Sequence, residues 1–225
     1  MKVLFVNMTY GAGSTGKIIA DIMDLLKKNG NDAKALYGTG EQSHNADAVK
    51  VSGKLGYYFH NAASRLTDHA GLYSWAATRK IIREIKAFQP DLIHLHTLHG
   101  FYVNYERLFR FLKEADIPVV WTLHDCWAFT GHCTHFSQAK CTQWQTECQD
   151  CKLLRRYPRC YWRGDVRRNF LRKKRAFTGV KNLTITTPSQ WLADQVSHSF
   201  LRDYPRTVIP NGIDCRIFRP QSSGL

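Results

Sequence analysis

Three groups of residues have the types and spacing that chemistry requires. The stretch YGAGSTGKII, Tyr10 to Ile19, falls one residue short of the phosphate-binding pattern G-x-x-x-x-G-K-[ST]. Gly11, Gly16 and Lys17 fit it, but Ile18 stands where a Mg²⁺-binding hydroxyl is needed. A phosphoryl-transfer site also needs an acidic residue at the end of a second strand, and in DLIHLH the Asp comes first. What remains is a strand, a glycine-rich turn containing Gly11 and Gly13, and a helix. Such a turn either presents free N–H groups to an anion or is a tight connection with no ligand.

The second group is polar. His96, Thr97 and His99 follow one apolar run, His124 and Asp125 close another, and Ser189 follows a third. Imidazoles and carboxylates can hold or move protons, although any one histidine is as readily a satisfied interior residue. The third group is Cys126, Cys133, Cys141, Cys148, Cys151 and Cys160, six thiols within 35 positions. Zinc takes four soft ligands in a tetrahedron, and the C-x-x-C of Cys148 and Cys151 supplies one pair. The expected set is Cys133, Cys141, Cys148 and Cys151, with Cys126, His132, His135 and Cys160 as substitutes. A loop of buried or oxidised thiols is the competing reading.

These groups need a frame, and the sequence supplies one. Strands are expected at 2–7, 32–38, 47–52, 91–98, 118–125, 183–189 and 206–211, with helices at 16–29, 74–88, 104–115, 165–178 and 189–200. Alternation of short apolar strands with amphipathic helices predicts a single α/β domain, doubly wound around a mostly parallel sheet. Ser189 is the expected cap of the last helix. In such sheets ligands bind outside the carboxyl ends of the strands, where the strand order switches. The glycine turn, His96, His99, His124, Asp125 and Ser189 all fall at strand ends. Residues from about 126 to 163, which hold the cysteines, lack helix or strand periodicity and read as an insertion that zinc would staple.

Of the chain's 225 residues, 44% are hydrophobic and 22% charged, as in ordinary globular domains. The apolar run near the start is too short for a secretory signal, and no segment approaches the ~20 apolar residues of a membrane span. A cytoplasmic protein with reduced or metal-bound cysteines is expected. The net charge of +14 is concentrated. Lys152 to Arg175 carries eleven basic residues against Asp165 alone, a local +10. Arg155, Arg156, Arg167, Arg168, Lys173 and Lys174 are the expected anion contacts, interleaved with Tyr157, Tyr161, Trp162 and Phe170. Such a segment suits anionic lipid headgroups; the alternatives are a solvated helix face or a basic zinc module for nucleic acid.

Taken together, GAGSTGK, PDLIHLHTLHG, VVWTLHDCWAFTGHC, TTPSQWLADQV and VIPNGIDCRIFRP resemble the glycosyltransferases of family 4, in particular the bacterial branch that builds exopolysaccharide and lipopolysaccharide. The resemblance covers nearly the whole chain. It implies a retaining enzyme of GT-B architecture, in which two Rossmann-like domains face each other across a cleft. Residues 1–214 would be the acceptor-side domain, and 215–225 the start of the hinge to a donor domain that lies beyond Leu225. By the same resemblance Gly11, Gly13 and Gly16 approach the donor diphosphate and the acceptor, with Lys17 giving charge complementarity. His96, His99 and Ser189, from their place at strand ends, and Asn211 are the further expected substrate-site residues. His124 contacts the donor sugar near the reacting centre, and Asp125 orients that imidazole or binds an acceptor hydroxyl. Asn211, Gly212, Ile213 and Asp214 match the hinge. No catalytic metal is implied. The implied substrates are a nucleotide-sugar and a glycan or lipid-diphosphate-linked acceptor, at the inner face of an anionic inner membrane. The chain alone, without a donor domain, is expected to be inactive, and nucleic acid is the disfavoured partner.

Overall fold

In the computed structural model, which describes residues 1–213, 215 and 219, strand and helix alternate as the sequence dictates. Seven strands form one sheet among the described residues: β1 (Lys2–Asn7), β2 (Asp32–Tyr37), β3 (Ala48–Lys50), β4 (Leu92–Leu95), β5 (Val119–Thr122), β6 (Leu183–Thr187) and β7 (Arg206–Val208). Their order is β3-β2-β1-β4-β5-β6-β7, and every neighbouring pair is parallel. The chain winds one way from β1 to β3 and the other way from β4 to β7, so the switch in order lies between β1 and β4.

Side-chain alternation along β1 explains the layers. Val3 and Phe5 join Ile19 and Met23 of α1 (Gly13–Lys28) in one core. Leu4 and Val6 face the larger core built from α3 (Trp75–Phe88), α4 (Tyr105–Glu114), α5 (Val166–Phe177) and α6 (Gln190–Ser197). Each such aliphatic side chain, fully buried, contributes about 1.5–3 kcal/mol. Ser189 caps α6 as expected, its Oγ accepting the Leu192 N–H at 3.3 Å. Strand cores match the expected runs, which are longer than the hydrogen-bonded strands by a few residues at their carboxyl ends. Those extra residues are the polar ones that leave the sheet.

One helix was not legible in the sequence. Helix α2 (Lys54–Thr67) turns His60 and Ser64 inward and leaves Leu55, Tyr58, Phe59 and Leu66 exposed, so its apolar spacing points at solvent rather than at a core. It is held from within by His60, whose Nε2 accepts the Gly71 N–H at 3.0 Å and whose Nδ1 lies 2.6 Å from Ser74 Oγ. Burial lowers the His60 pKa from 6.5 to about 4, and burial acts on His94 in the same direction, also to about 4. Between those values the unfolded chain binds protons that the folded chain does not. Stability is therefore full above about pH 6.5 and falls as the pH drops towards 4. Denaturant midpoints should be lower at pH 5 than at pH 7, and His60→Asn should flatten that slope; a midpoint unchanged on acidification would contradict the buried neutral imidazoles.

The insertion is compact though irregular. Short 3-10 turns at Trp127–Phe129, Ser137–Ala139 and Gln143–Gln145 wrap around Phe129, Phe136 and Trp144, the last two stacked 4.6 Å apart. Asp68 ties it to the domain. This buried residue closes α2 at φ 62, meets His132 Nδ1 through Oδ1, accepts the Asp165 N–H at 3.0 Å through Oδ2, and accepts Asn169 Nδ2 at 2.6 Å through its carbonyl.

Candidate functional site

The switch between β1 and β4 is held by a residue that pattern reading passed over. Asn7 is buried; its Oδ1 accepts the Thr97 N–H at 3.1 Å, while its Nδ2 donates to Thr9 O at 2.8 Å and Thr15 Oγ1 at 3.2 Å. One amide thus fixes the glycine turn and the end of β4 together. Gly11 and Gly13, exposed at φ 69 and 68, need the left-handed backbone that glycine adopts without strain. Gly16 has a different task. It is buried, and a Cβ there would meet Thr9 Oγ1 at 2.7 Å, so its missing side chain lets α1 pack on the turn rather than opening space for a ligand. Ala12 gives α1 no side-chain cap, which leaves first-turn N–H groups available to an anion. Lys17, one turn further on, is exposed and paired with Asp21.

Three histidines line up beside this turn. His94 and His96 share one face of β4 because they are two residues apart, with ring centroids 4.2 Å apart. His94 Nε2 lies 2.8 Å from Thr122 Oγ1, which lies 2.5 Å from Thr186 Oγ1. His96 Nδ1 meets His124 Nε2 at 3.0 Å, and the rings stack at 5.3 Å. Burial lowers the pKa of His124 despite the opposing effect of Asp125, and holds His96 well below its ordinary value. The pair is therefore neutral at pH 7. His96 Nε2 is buried with no hydrogen-bond partner in the structure. His94, Thr122 and Thr186 were not among the expected site residues; the two-residue spacing of His94 and His96 was the available signal.

Asp125 departs from expectation. Its carboxylate does not orient His124. Oδ2 lies 2.7 Å from His99 Nε2 and Oδ1 accepts the Trp127 N–H at 2.9 Å, while His99 Nδ1 faces the Tyr157 hydroxyl at 3.1 Å. Burial alone would raise the Asp125 carboxyl, but the His99 contact brings it below its ordinary range. His99 and Asp125 thus form a second pair that fastens the insertion, through Tyr157, to the end of β4, and His96 is the residue that orients His124.

Two hollows adjoin these groups. One, about 420 Å³, lies at the carboxyl ends of β1 to β3 and is lined by Thr9, Gly38, Gly40, Lys54, Tyr57 and Tyr58. The other, about 680 Å³, runs between α1 and the β4–β6 face and brings together Lys17, His94, His96, Thr122, Thr186 and Asn211. Ser189 is exposed, caps α6 through its Oγ and lines neither hollow. Asp214 and most of 215–225, read as the hinge, lie outside the described residues.

The basic segment is divided by the phase of α5. Arg155, Arg156, Arg167, Arg168 and Lys174 are exposed, with Arg167 paired to Glu147 and Arg168 at 3.7 Å from Asp165. Lys173 is not an anion contact. Its helical phase is that of Val166, Phe170 and Phe177, and it is 2% exposed. The ammonium donates to the carbonyls of Trp127 at 2.8 Å and Thr130 at 3.0 Å, 3.7 Å from the Trp127 ring. Cys133, Cys141, Cys148 and Cys151 line one small hollow of about 20 Å³; Cys126 and Cys160 are buried elsewhere. Among the described residues no three His, Cys, Asp or Glu side chains already have their donor atoms disposed for a metal ion. No described helix is long and apolar enough to cross a membrane.

Comparison with known proteins agrees with this geometry. The family model described as Glycosyltransferase Family 4 matches residues 16–216. A curated protein of Escherichia coli (strain K12), provisionally named a colanic acid biosynthesis glycosyl transferase, WcaC, is 25% identical over 231 residues, covering 95% of this chain and 55% of its own. Among solved structures, sucrose-phosphate synthase from Thermosynechococcus elongatus superposes with a TM-score of 0.59 at 12% identity, over 98% of this chain and 50% of its own. That second likeness is one of fold. The chain spans about half the length of both.

Proposed function

The chain belongs to glycosyltransferase family 4, and from that premise we propose that it is the acceptor-binding half of a retaining hexosyltransferase, which moves a sugar from a nucleotide-sugar to a glycan or lipid-diphosphate-linked acceptor of a bacterial surface polysaccharide. The observation that carries this reading is the neutral His96–His124 pair at 3.0 Å, standing at the carboxyl ends of adjacent strands beside the uncapped start of α1. In this reading the donor's diphosphate meets the α1 turn, and His124, oriented by His96, contacts the donor sugar. Transfer would rest on holding donor and acceptor in register and on stabilising the departing diphosphate. The remaining groups for that task would come from a donor domain, so this chain alone should not turn over.

The acceptor is assigned to the 420 Å³ hollow. Tyr57 offers an aromatic face to a sugar ring, and Lys54 offers charge to a diphosphate. The adjoining outer face of α2 supports a membrane location. Leu55, Phe59, Ala62 and Leu66 form an exposed stripe at helical spacing, and Trp162, 78% exposed, follows Tyr161, whose N–H donates to the Arg65 carbonyl of α2 at 2.7 Å. Arg65 and Arg155 flank the Tyr161 ring at 5.8 and 5.7 Å. An apolar stripe edged with basic residues suits a helix lying in an anionic interface, and it replaces the Lys173 side of α5 as the docking surface.

The full-length enzyme, given a panel of nucleotide-sugars and a lipid-linked acceptor in anionic vesicles, should yield a product that keeps the donor's anomeric configuration. Phe59→Asp should lower that rate roughly tenfold or more and leave transfer to a detergent-soluble acceptor analogue unchanged. Inversion of the anomeric centre would overturn the retaining assignment. Equal loss on both acceptors would remove α2 from membrane docking, and tighter binding of oligonucleotides than of vesicles would favour the nucleic-acid reading.

A further inference from the structure

We propose that the insertion is a structural zinc site in which Cys133, Cys141, Cys148 and Cys151 hold one Zn²⁺ as thiolates around the small hollow they share. The four sulfurs come from three separate turns of a segment without regular structure, yet all four line one void of about 20 Å³, room for one ion or one water. Apolar packing alone does not call for four thiols at that spot. A backbone donor is in place for charged sulfur: the Gly131 N–H points at Cys148 Sγ at 3.3 Å.

The surroundings fit the charge such a centre would carry. Four thiols lose four protons on binding Zn²⁺, so the complex is doubly negative. Lys173, buried against the same insertion, donates to the carbonyls of Trp127 and Thr130 and would offset part of that charge. His132 lines the same cavity, and its Nε2 is buried without a hydrogen-bond partner, while its Nδ1 is held by the Asp68 carboxylate. A carboxylate-backed imidazole with a buried, unpartnered nitrogen beside the hollow can donate to a metal-bound thiolate. Zinc would join the four cysteines through Zn–S bonds of about 2.3 Å, and the loop needs no regular secondary structure because the ion supplies its cross-link.

The test is metal content, independent of transferase activity. The full-length protein purified from zinc-replete cells should carry one zinc per chain, and stripping it with a chelator should lower the unfolding temperature reversibly. Cys148→Ser and Cys151→Ser should each lose the zinc, whereas Cys126→Ser should keep it. Should those variants fail to fold, cobalt added to the stripped wild-type protein gives a second reading from its ligand-field bands. A tetrathiolate spectrum supports the assignment. An S₃N spectrum that disappears in His132→Gln would overturn it in favour of His132 as the fourth ligand. Absence of stoichiometric zinc, with all four thiols freely titratable in the folded protein, would overturn the site altogether.

Discussion

His124→Ala in the full-length enzyme is expected to lower kcat by roughly 10²–10⁴-fold while the unfolding temperature stays within about 2 °C of wild type. The ring is partly exposed and makes one side-chain hydrogen bond, to His96, so little packing is lost with it. What the substitution removes is a neutral imidazole held in one orientation at the mouth of the strand-order switch. Its neutrality follows from burial. Burial disfavours an added proton on either ring, so the pair is neutral at pH 7. Parallel assays of transfer and thermal unfolding separate the two effects. Unchanged turnover would remove His124 from the site, and a large fall in unfolding temperature would make its role structural.

Lys173→Ala should produce the largest loss of stability of any substitution in the basic segment, about 3–5 kcal/mol. Alanine leaves the carbonyls of Trp127 and Thr130 without their donor and opens a cavity beneath the Trp127 ring. In a chain of this size that lowers the unfolding temperature by roughly 10 °C. Lys174→Ala, one position along and exposed, should change stability by less than about 0.5 kcal/mol. Thermal unfolding of the two variants gives the comparison. A Lys173→Ala protein with wild-type stability and weakened vesicle binding would return Lys173 to the surface.

Lys173 also shows where pattern reading fails. Within the run of arginines and lysines, charge suggests exposure, but Val166, Phe170, Lys173 and Phe177 repeat at helical spacing and mark a single inner face. The phase was legible; the partner that makes a buried ammonium tolerable was not, because it is a pair of backbone carbonyls 43 and 46 residues away. The strands and their parallel, doubly wound layering were readable because parallel strands, covered on both faces, are short apolar runs. Helix α2 was missed for the opposite reason, since its regular apolar positions face outward. Asp125 was correctly placed at a strand end, yet its choice of His99 over its neighbour His124 depends on the path of the insertion, which local spacing does not encode.

The contacts of Asp68 carry a consequence for how the protein is made. Its partners His132, Asp165 and Asn169 lie 64, 97 and 101 residues further along the chain. At roughly 5–20 residues per second, a ribosome needs about 5–20 s after making Asp68 to deliver the last of them. Until then the carboxyl end of α2 lacks its full set of anchors. The knot around Asp68 is therefore tied late in synthesis. Pauses placed between the codons for Asp68 and Asn169 should lengthen the time for which that helix end is unanchored, and pauses placed after Asn169 should not.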